Sequence, residues 1–297
     1  MKRALALSLL ALAACPKKGD EAAPSPSASA APQAGFRGGS ACAGVAIECG
    51  QFDTPEAALD AVLQDKPLVL GIGEAHAQKG ATVASSAKRV TESFLPALKG
   101  KASDLLVELM NPPQGCNKTT ADVKEKQKVV TEKQAPTDQN EYVAMGEAAR
   151  KVGIVPDLLR PTCDDLAAIG DAGDGAVELS LRTIKRLTVV KVTELRQRDQ
   201  KSPADAEKMV ITYGGAIHND IEPPPERAAW AFGPELSQAT GGRYVELDVY
   251  VPEFIEDTDA WKKLEWYASW DKAKLGGKVT LYRLRPQSFV MIFALTK

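Results

Sequence analysis

The chain has 297 residues, which is enough for one large globular domain. Its formal net charge of -2 and its sequence pI near 5.9 exclude the strongly basic surface that nucleic-acid binding requires. We therefore expect no nucleic-acid partner.

The first fifteen residues have the pattern of an export signal. Lys2 and Arg3 precede an apolar stretch over 4–14 that is too short to span a bilayer. The ending Leu-Ala-Ala-Cys resembles the lipobox of bacterial lipoproteins, which implies cleavage before Cys15 and a lipid on its sulfur. We expect a signal peptide over 1–14 and anchoring to a lipid bilayer of the cell envelope through Cys15. By the same resemblance, Pro16 favours the outer membrane over the inner one. An ordinary secretory signal, cleaved elsewhere, is the alternative.

The segment after the signal is rich in Pro, Ala, Ser and Gly. Such a composition buries too little apolar surface to offset the entropy of ordering, so residues 15–44 are predicted to be the lipidated cysteine and a disordered tether. Residues 45–297 are predicted to form a single α/β domain. Four cysteines remain besides Cys15, and in an oxidising compartment they indicate two disulfides. The short loop that joins the first two favours the pairs Cys42–Cys49 and Cys116–Cys163.

Helices and strands alternate along the predicted domain. Thr54-Pro55-Glu56 has the residue types of a helix N-cap and first turn, and apolar residues then repeat at helical spacing. The predicted helices cover about 54–63, 83–98, 119–133, 139–151, 175–198, 226–240 and 260–272. The predicted strands are the apolar runs at 66–73, 104–110, 152–159, 209–215 and 244–251, and Pro156 weakens the third of them.

This alternation predicts an α/β fold with a mostly parallel central sheet flanked by helices. Two last apolar runs, about 278–284 and 289–295, predict an antiparallel C-terminal hairpin. The predicted helix 260–272 carries Trp261, Trp266, Trp270 and Tyr267. Packing in the core is the expected role of these rings, and lining a site for a flat apolar ligand is the alternative.

Histidine occurs only twice, in GIGEAH (71–76) and in GGAIH (214–218), and each histidine follows a glycine by three residues. Both motifs come at the end of a predicted strand. Because the carboxyl ends of parallel strands share one edge of a sheet, we expect His76 and His218 to face each other across 142 positions of sequence. Gly73 and Gly215 would let the backbone turn sharply there or approach a ligand closely.

Two carboxylates accompany the histidines. Glu74 lies within the first motif, and Glu108 lies near the end of the strand DLLVELM, where alternation places it on the face opposite Val107 and Leu109. A carboxylate in so apolar a strand is costly unless it is paired, hydrogen-bonded or metal-bound, so it is either a site residue or the partner of an arginine. Asp220 is a weaker candidate, with helix capping as the alternative, and Tyr213 is a candidate oxygen ligand or donor whose alternative is core packing.

Two imidazoles and two carboxylates suit two kinds of chemistry. They are ligands for zinc, manganese or iron, and a bound metal would acidify water to give a nucleophile. Without a metal, glutamate or histidine would activate water, and a protonated histidine or a loop amide would stabilise the oxyanion. The sequence leaves both open.

GEAH after an apolar strand, the acid that ends LLVELM, and GGAIH after a later strand resemble the superfamily that joins erythromycin esterases, TraB and Tiki proteins, and the ChaN haem-binding lipoproteins. The resemblance implies an α/β core with functional residues at strand ends. It implies a metal-dependent protease if the chain is like Tiki, a hydrolase if like the esterases, and haem binding for iron uptake if like ChaN. The positions that match are Glu74, His76, Glu108 and His218. The chain lacks the further histidine of the esterases and the extra histidine of many ChaN-like first loops.

Three hypotheses follow for the function. The favoured one is a cell-envelope hydrolase, with or without a divalent metal, in which Glu74, His76, Glu108 and His218 are catalytic or metal-binding residues. The second is a haem- or iron-binding lipoprotein with Tyr213, His218 or His76 as an axial ligand. The third is a non-catalytic binding lipoprotein. The ligand would accordingly be a small molecule, a peptide or haem, and the separation of the two imidazoles discriminates between a shared site and two structural residues.

Overall fold

The fold was analysed in a computed structural model, which describes residues 35–135 and 138–296. The predicted signal peptide, Cys15 and residues 16–34 of the predicted tether lie outside the described residues. Across the residues that are described, no helix combines the length and the apolar character needed to cross a membrane.

The described residues form nine strands and eight α-helices. The strands are β1 (Ser40–Ala41), β2 (Glu48–Phe52), β3 (Val69–Glu74), β4 (Ala102–Met110), β5 (Val155–Leu159), β6 (Met209–Gly215), β7 (Tyr244–Tyr250), β8 (Val279–Arg285) and β9 (Ser288–Ile292). The helices are α1 (Pro55–Val62), α2 (Ser86–Ala97), α3 (Asn117–Thr131), α4 (Asp138–Lys151), α5 (Cys163–Asp171), α6 (Ala176–Asp199), α7 (Gly233–Ala239) and α8 (Asp259–Lys262).

The nine strands make one sheet in the order β1-β2-β8-β9-β7-β3-β6-β4-β5. The strands from β5 to β9 in this order pair in parallel, and β8, β2 and β1 continue the sheet with antiparallel pairing. The predicted α/β class, with a mostly parallel central sheet and an antiparallel C-terminal hairpin, is confirmed. Pro156 is accommodated because β5 is at the edge of the sheet, where a missing amide leaves no ladder bond unmade.

Helices cover both faces of the sheet, and side chains of each strand alternate between the two layers. On β3, Leu70 and Ile72 pack in a core with residues of α1, α2 and α4, whereas Val69 packs in a second core with α6 and α7. Each face is thus sealed from water, as expected for parallel strands that read as continuous apolar runs.

The fold includes part of the segment that was predicted to be tether. Phe36 is buried against Phe52 and Phe289, with ring centroids 6.2 Å away in both cases, and β1 pairs with β2. The ordered region therefore begins before residue 45, because one large ring at 36 finds a place in the core that composition alone does not reveal. Both predicted disulfides, Cys42–Cys49 and Cys116–Cys163, are confirmed.

Several predicted elements differ from the structure. Helix α7 begins only at Gly233, not near 226, and the tryptophan segment 260–272 forms the short helix α8 followed by 3₁₀ turns. Prediction also missed β1, β2 and α5. The start of α5 did carry a local signal, since the Thr162 side chain accepts from the Asp165 amide while the Asp165 carboxylate accepts from the Thr162 amide, a capping box.

Candidate functional site

The two histidine motifs lie side by side in the sheet. They follow β3 and β6, which are hydrogen-bonded neighbours with Gly73 opposite Gly214 and Glu74 opposite Gly215. His76 comes two residues after the end of β3, and His218 comes three residues after the end of β6 in a 3₁₀ turn. The order of the strands therefore brings the two loops to one edge, as predicted from the two apolar runs.

Glu74 is the centre of one half of the site. Its carboxylate is buried and accepts a hydrogen bond from the Tyr142 hydroxyl at 2.7 Å and another from the Tyr213 hydroxyl. Its Oε1 also lies 3.0 Å from Nδ1 of His76. Burial and the neighbouring Glu74 raise the pKa of Tyr213 well above its ordinary value, so this phenol keeps its proton and stays a donor.

The Glu74 contact determines how His76 is presented. A carboxylate can only accept, so Nδ1 carries the proton and Nε2 of the neutral ring keeps its lone pair. The His76 side chain is 27% exposed, and Nε2 lies 3.3 Å from the position that a Cβ atom would take on Gly215. The imidazole is thus oriented by a buried anion with its basic nitrogen toward the end of β6.

Glu108 and His218 form the other half. Glu108 Oε2 accepts the Gly215 amide at 2.8 Å, and Oε1 lies 3.6 Å from Nε2 of His218. His218 is buried to 1% exposure and donates from Nδ1 to the Trp230 carbonyl at 2.8 Å, while its ring stacks on Phe232. Its Nε2 therefore faces Glu108, whose side chain is 18% exposed.

The glycines of both motifs make room for carboxylates and do not turn the chain. Gly73 and Gly214 lie within strands, and Gly215 has the extended φ of -67° and ψ of 135°. A Cβ on Gly214 would lie 2.7 Å from Cβ of Glu108 and closer still to its carboxylate. A Cβ on Gly73 would meet Asp248 and the Ala216 backbone. The sharp turn predicted at Gly73 and Gly215 is wrong, and the predicted close approach to a ligand stays a prediction.

The two halves meet at Gly215. The position that a Cβ would take on Gly215 is 3.3 Å from His76 Nε2 and 3.8 Å from Glu108 Oε2, and the other oxygen of Glu108 lies 3.6 Å from His218 Nε2. Among the described residues, no three of the four predicted site residues have ligand atoms that all lie within 4.8 Å of one another, and their role as ligands of one metal ion stays a prediction. Across the described part of the chain, three or more ligand atoms come within 4.8 Å of one another in a different group, which consists of Asp220, Glu246 and Asp248.

This acidic group lies beside the second histidine loop. Asp220 follows His218 by two residues, and Glu246 and Asp248 are alternate, buried residues of β7. Glu246 accepts a hydrogen bond from the backbone amide of Ile221 at 2.8 Å. Asp248 accepts one from the side-chain amide of Asn219 at 3.2 Å and one from the Tyr250 hydroxyl at 3.1 Å. The three carboxylates lie close enough together to hold a metal ion.

Burial sets the ionisation of the group. It raises the pKa of Asp248 to about 7, with the charge of Asp220 adding to the effect, and raises the pKa of Glu246 well above its ordinary value. The pKa of Asp220 is raised for the same reason, although Arg227 lies 3.4 Å away. Three such groups favour either a proton or a cation as counter-charge.

Two features of the site were not found from the sequence. Glu246 and Asp248 of β7 carry the same signal as Glu108, a carboxylate in an apolar strand, but they are not among the residues predicted for the site. Tyr142 had none, because it lies on the polar helix α4 and only the packing of that helix brings it to Glu74. Tyr213, predicted as a ligand or donor, is a buried donor to Glu74.

Comparison of the chain with protein-family models, with curated proteins and with solved structures finds no match.

Proposed function

We propose that the chain is a hydrolase of the bacterial cell envelope, held to a membrane by a lipid on Cys15, that cleaves an ester or peptide bond by acid–base chemistry. The observation that carries the proposal is the pair Glu74–His76. A buried carboxylate that fixes Nδ1–H and leaves Nε2 toward a partly open strand edge is the arrangement of a general base.

In this mechanism His76 Nε2 takes a proton from water, and the water oxygen attacks the carbonyl carbon of the substrate. The C–O or C–N bond of the tetrahedral intermediate then breaks, and His76 returns the proton from Nε2 to the leaving alcohol or amine. The second proton stays on His76 Nδ1, and Glu74 accepts its hydrogen bond and stabilises the imidazolium that forms, as the carboxylate of a catalytic triad does. The two tyrosine hydroxyls hold Glu74 in place. Glu108 lies near the same point and would orient the water or the leaving group, while His218 is too buried to touch substrate.

The test is hydrolysis of a broad panel of esters and peptides by the purified full chain and by two variants. His76→Ala should lower kcat/KM by about 10²- to 10⁴-fold, the usual contribution of a general base. Lys79→Ala, an exposed change in the same loop, is the control and should leave the rate unchanged. The proposal fails if the panel shows no hydrolysis, or if His76→Ala is as active as the unchanged protein.

A metal-assisted form of this function is supported by the acidic group. Its three carboxylate oxygens are ligands for hard cations such as Ca²⁺, Mg²⁺ or Mn²⁺ rather than for zinc, which prefers imidazole and thiolate. A cation bound only by the folded state at 100 times its Kd would stabilise it by about 2.7 kcal/mol. The stabilisation is measured as the rise in unfolding temperature when each cation is added to chelator-treated protein. An equal rise in Asp248→Asn and in the unchanged protein would exclude this metal site.

Haem binding receives no comparable support from the geometry. The Tyr213 hydroxyl is bonded to Glu74, and His218 is buried between the Trp230 carbonyl and Glu108. An axial ligand needs an accessible donor atom beside an apolar pocket, and neither of these two residues presents one without rearrangement. His76 stays a candidate axial ligand.

A further inference from the structure

A cavity of about 660 Å³ lies between the Cys42–Cys49 loop and the segment 267–275. Its walls come from the antiparallel part of the sheet and from the 3₁₀ turns that follow α8. None of the four residues of the proposed hydrolase site lines it. Its volume is within the range of small-molecule binding sites.

Aromatic rings form much of the wall. Tyr267 and Trp270 have ring centroids 6.0 Å apart, and Tyr282 lines the cavity from β8. Trp266 lies behind them in the core, fully buried, and packs edge-on against Trp270 at 6.4 Å. Trp266 thus supports the rings that line the cavity, which gives a ligand a preformed apolar surface.

Two polar atoms of the same wall have no hydrogen-bond partner among the described residues. Thr280 is 3% exposed and its Oγ1 is unpaired, and Nε1 of Trp270 is buried and unpaired as well. Other polar groups of the lining are engaged, since the Tyr282 hydroxyl donates to the Ser269 carbonyl at 3.3 Å and Gln51 donates to the Lys274 carbonyl at 3.0 Å. Buried polar atoms are rarely left unpaired, so this pair points to an absent partner.

We propose that this cavity binds a saccharide of one or two pyranose rings. A pyranose has an apolar C–H face, which packs on aromatic rings, and hydroxyl groups that both donate and accept. An indole N–H needs an acceptor and a threonine hydroxyl takes either role, so sugar hydroxyls suit both atoms. Both atoms are covered by protein in the structure, so a sugar reaches them only when the Thr280 and Trp270 side chains shift on binding.

The lining disfavours other ligand classes. A flat hydrocarbon would leave Thr280 and Trp270 unpaired. The charges of the lining are mixed, with Asp271 beside Lys272 and Lys274, so a strongly charged ligand finds no field of one sign.

The test titrates maltose, cellobiose and N,N′-diacetylchitobiose into the full chain, with calorimetry and tryptophan fluorescence as readouts. At least one should bind and change the fluorescence. Thr280→Val should weaken that binding by about fivefold or more, the effect of one lost hydrogen bond. Trp270→Phe, which keeps a ring but removes the N–H, should weaken it too.

Thr212→Val is the matched control. Thr212 is also a buried strand residue with an unpaired Oγ1, but it lies on β6 and does not line the cavity. Both valine variants remove an unpaired hydroxyl, so both should fold. Absence of binding by all three sugars overturns the proposal, as does equal weakening by Thr280→Val and Thr212→Val. Loss of binding in His76→Ala also overturns it, because the sugar would then occupy the hydrolase site.

Discussion

The contribution of Asp248 to stability should fall as the pH rises toward neutrality, because folding buries it in a group of acids. Desolvation, and then the charge of Asp220, raise the pKa of Asp248 from 3.8 to about 7. The perturbation that isolates this effect is Asp248→Asn. The asparagine oxygen can accept from Asn219, and its amide can donate to the Tyr250 hydroxyl oxygen, so both contacts of the carboxylate have a neutral substitute.

The sign and size of this pH dependence follow from proton linkage. A pKa raised on folding means that the folded state holds the proton more tightly. Its contribution is therefore fully present below about pH 4 and is lost as the pH rises through about 7. At about 1.4 kcal/mol per pKa unit, the loss for Asp248 is about 4 kcal/mol. Glu246, whose pKa is also raised well above its ordinary value, adds to the loss in the same direction.

Urea unfolding from pH 4 to pH 8.5, without divalent cations, measures the free energy of unfolding. Asp248→Asn and the unchanged protein should be similar at pH 4, and the variant should gain up to about 4 kcal/mol over the unchanged protein by pH 8. Glu147→Gln, an exposed carboxylate of α4, is the control and should run parallel to the unchanged protein. Parallel curves for Asp248→Asn, or a variant less stable at pH 8, would refute the reasoning.

Two further predictions concern packing and cross-links. Gly214→Ala should lower the free energy of unfolding by about 1–3 kcal/mol because the new Cβ overlaps Glu108. Gly175→Ala is the control and should not lower it, since no atom lies within 4 Å of its Cβ. Equal effects of the two substitutions in urea unfolding would contradict this prediction. Replacing both cysteines by alanine should cost about 4 kcal/mol for Cys116–Cys163, which spans 47 positions, and about 2.5 kcal/mol for Cys42–Cys49, which spans 7. The same unfolding assay measures both, and the reverse order would show that loop length does not govern their contribution.

Where sequence prediction failed, a tertiary contact or a backbone rule outweighed apolar spacing. Pro234 follows Gly233, and a proline there cannot sit inside a helix that began near 226, so α7 starts at this pair. The tryptophans of 260–272 are spaced as on a helix, but Trp266 enters the core while Trp261 packs on Tyr250, and the chain bends to place both. The spacing of apolar residues indicates which side chains become buried, but it does not indicate which part of the core they enter.

The sequence by itself determined the α/β class and the strand ends that carry the histidines, and it indicated that two disulfides form. Each depends on a local pattern, namely apolar runs, a glycine before a histidine, and an even number of cysteines. Only the tertiary structure decided what the site residues touch. Packing of α4 puts Tyr142 on Glu74, and the place of β7 beside β3 groups Asp248 and Glu246 with Asp220. Contacts between residues far apart in the chain depend on strand order and helix packing, which no local pattern encodes.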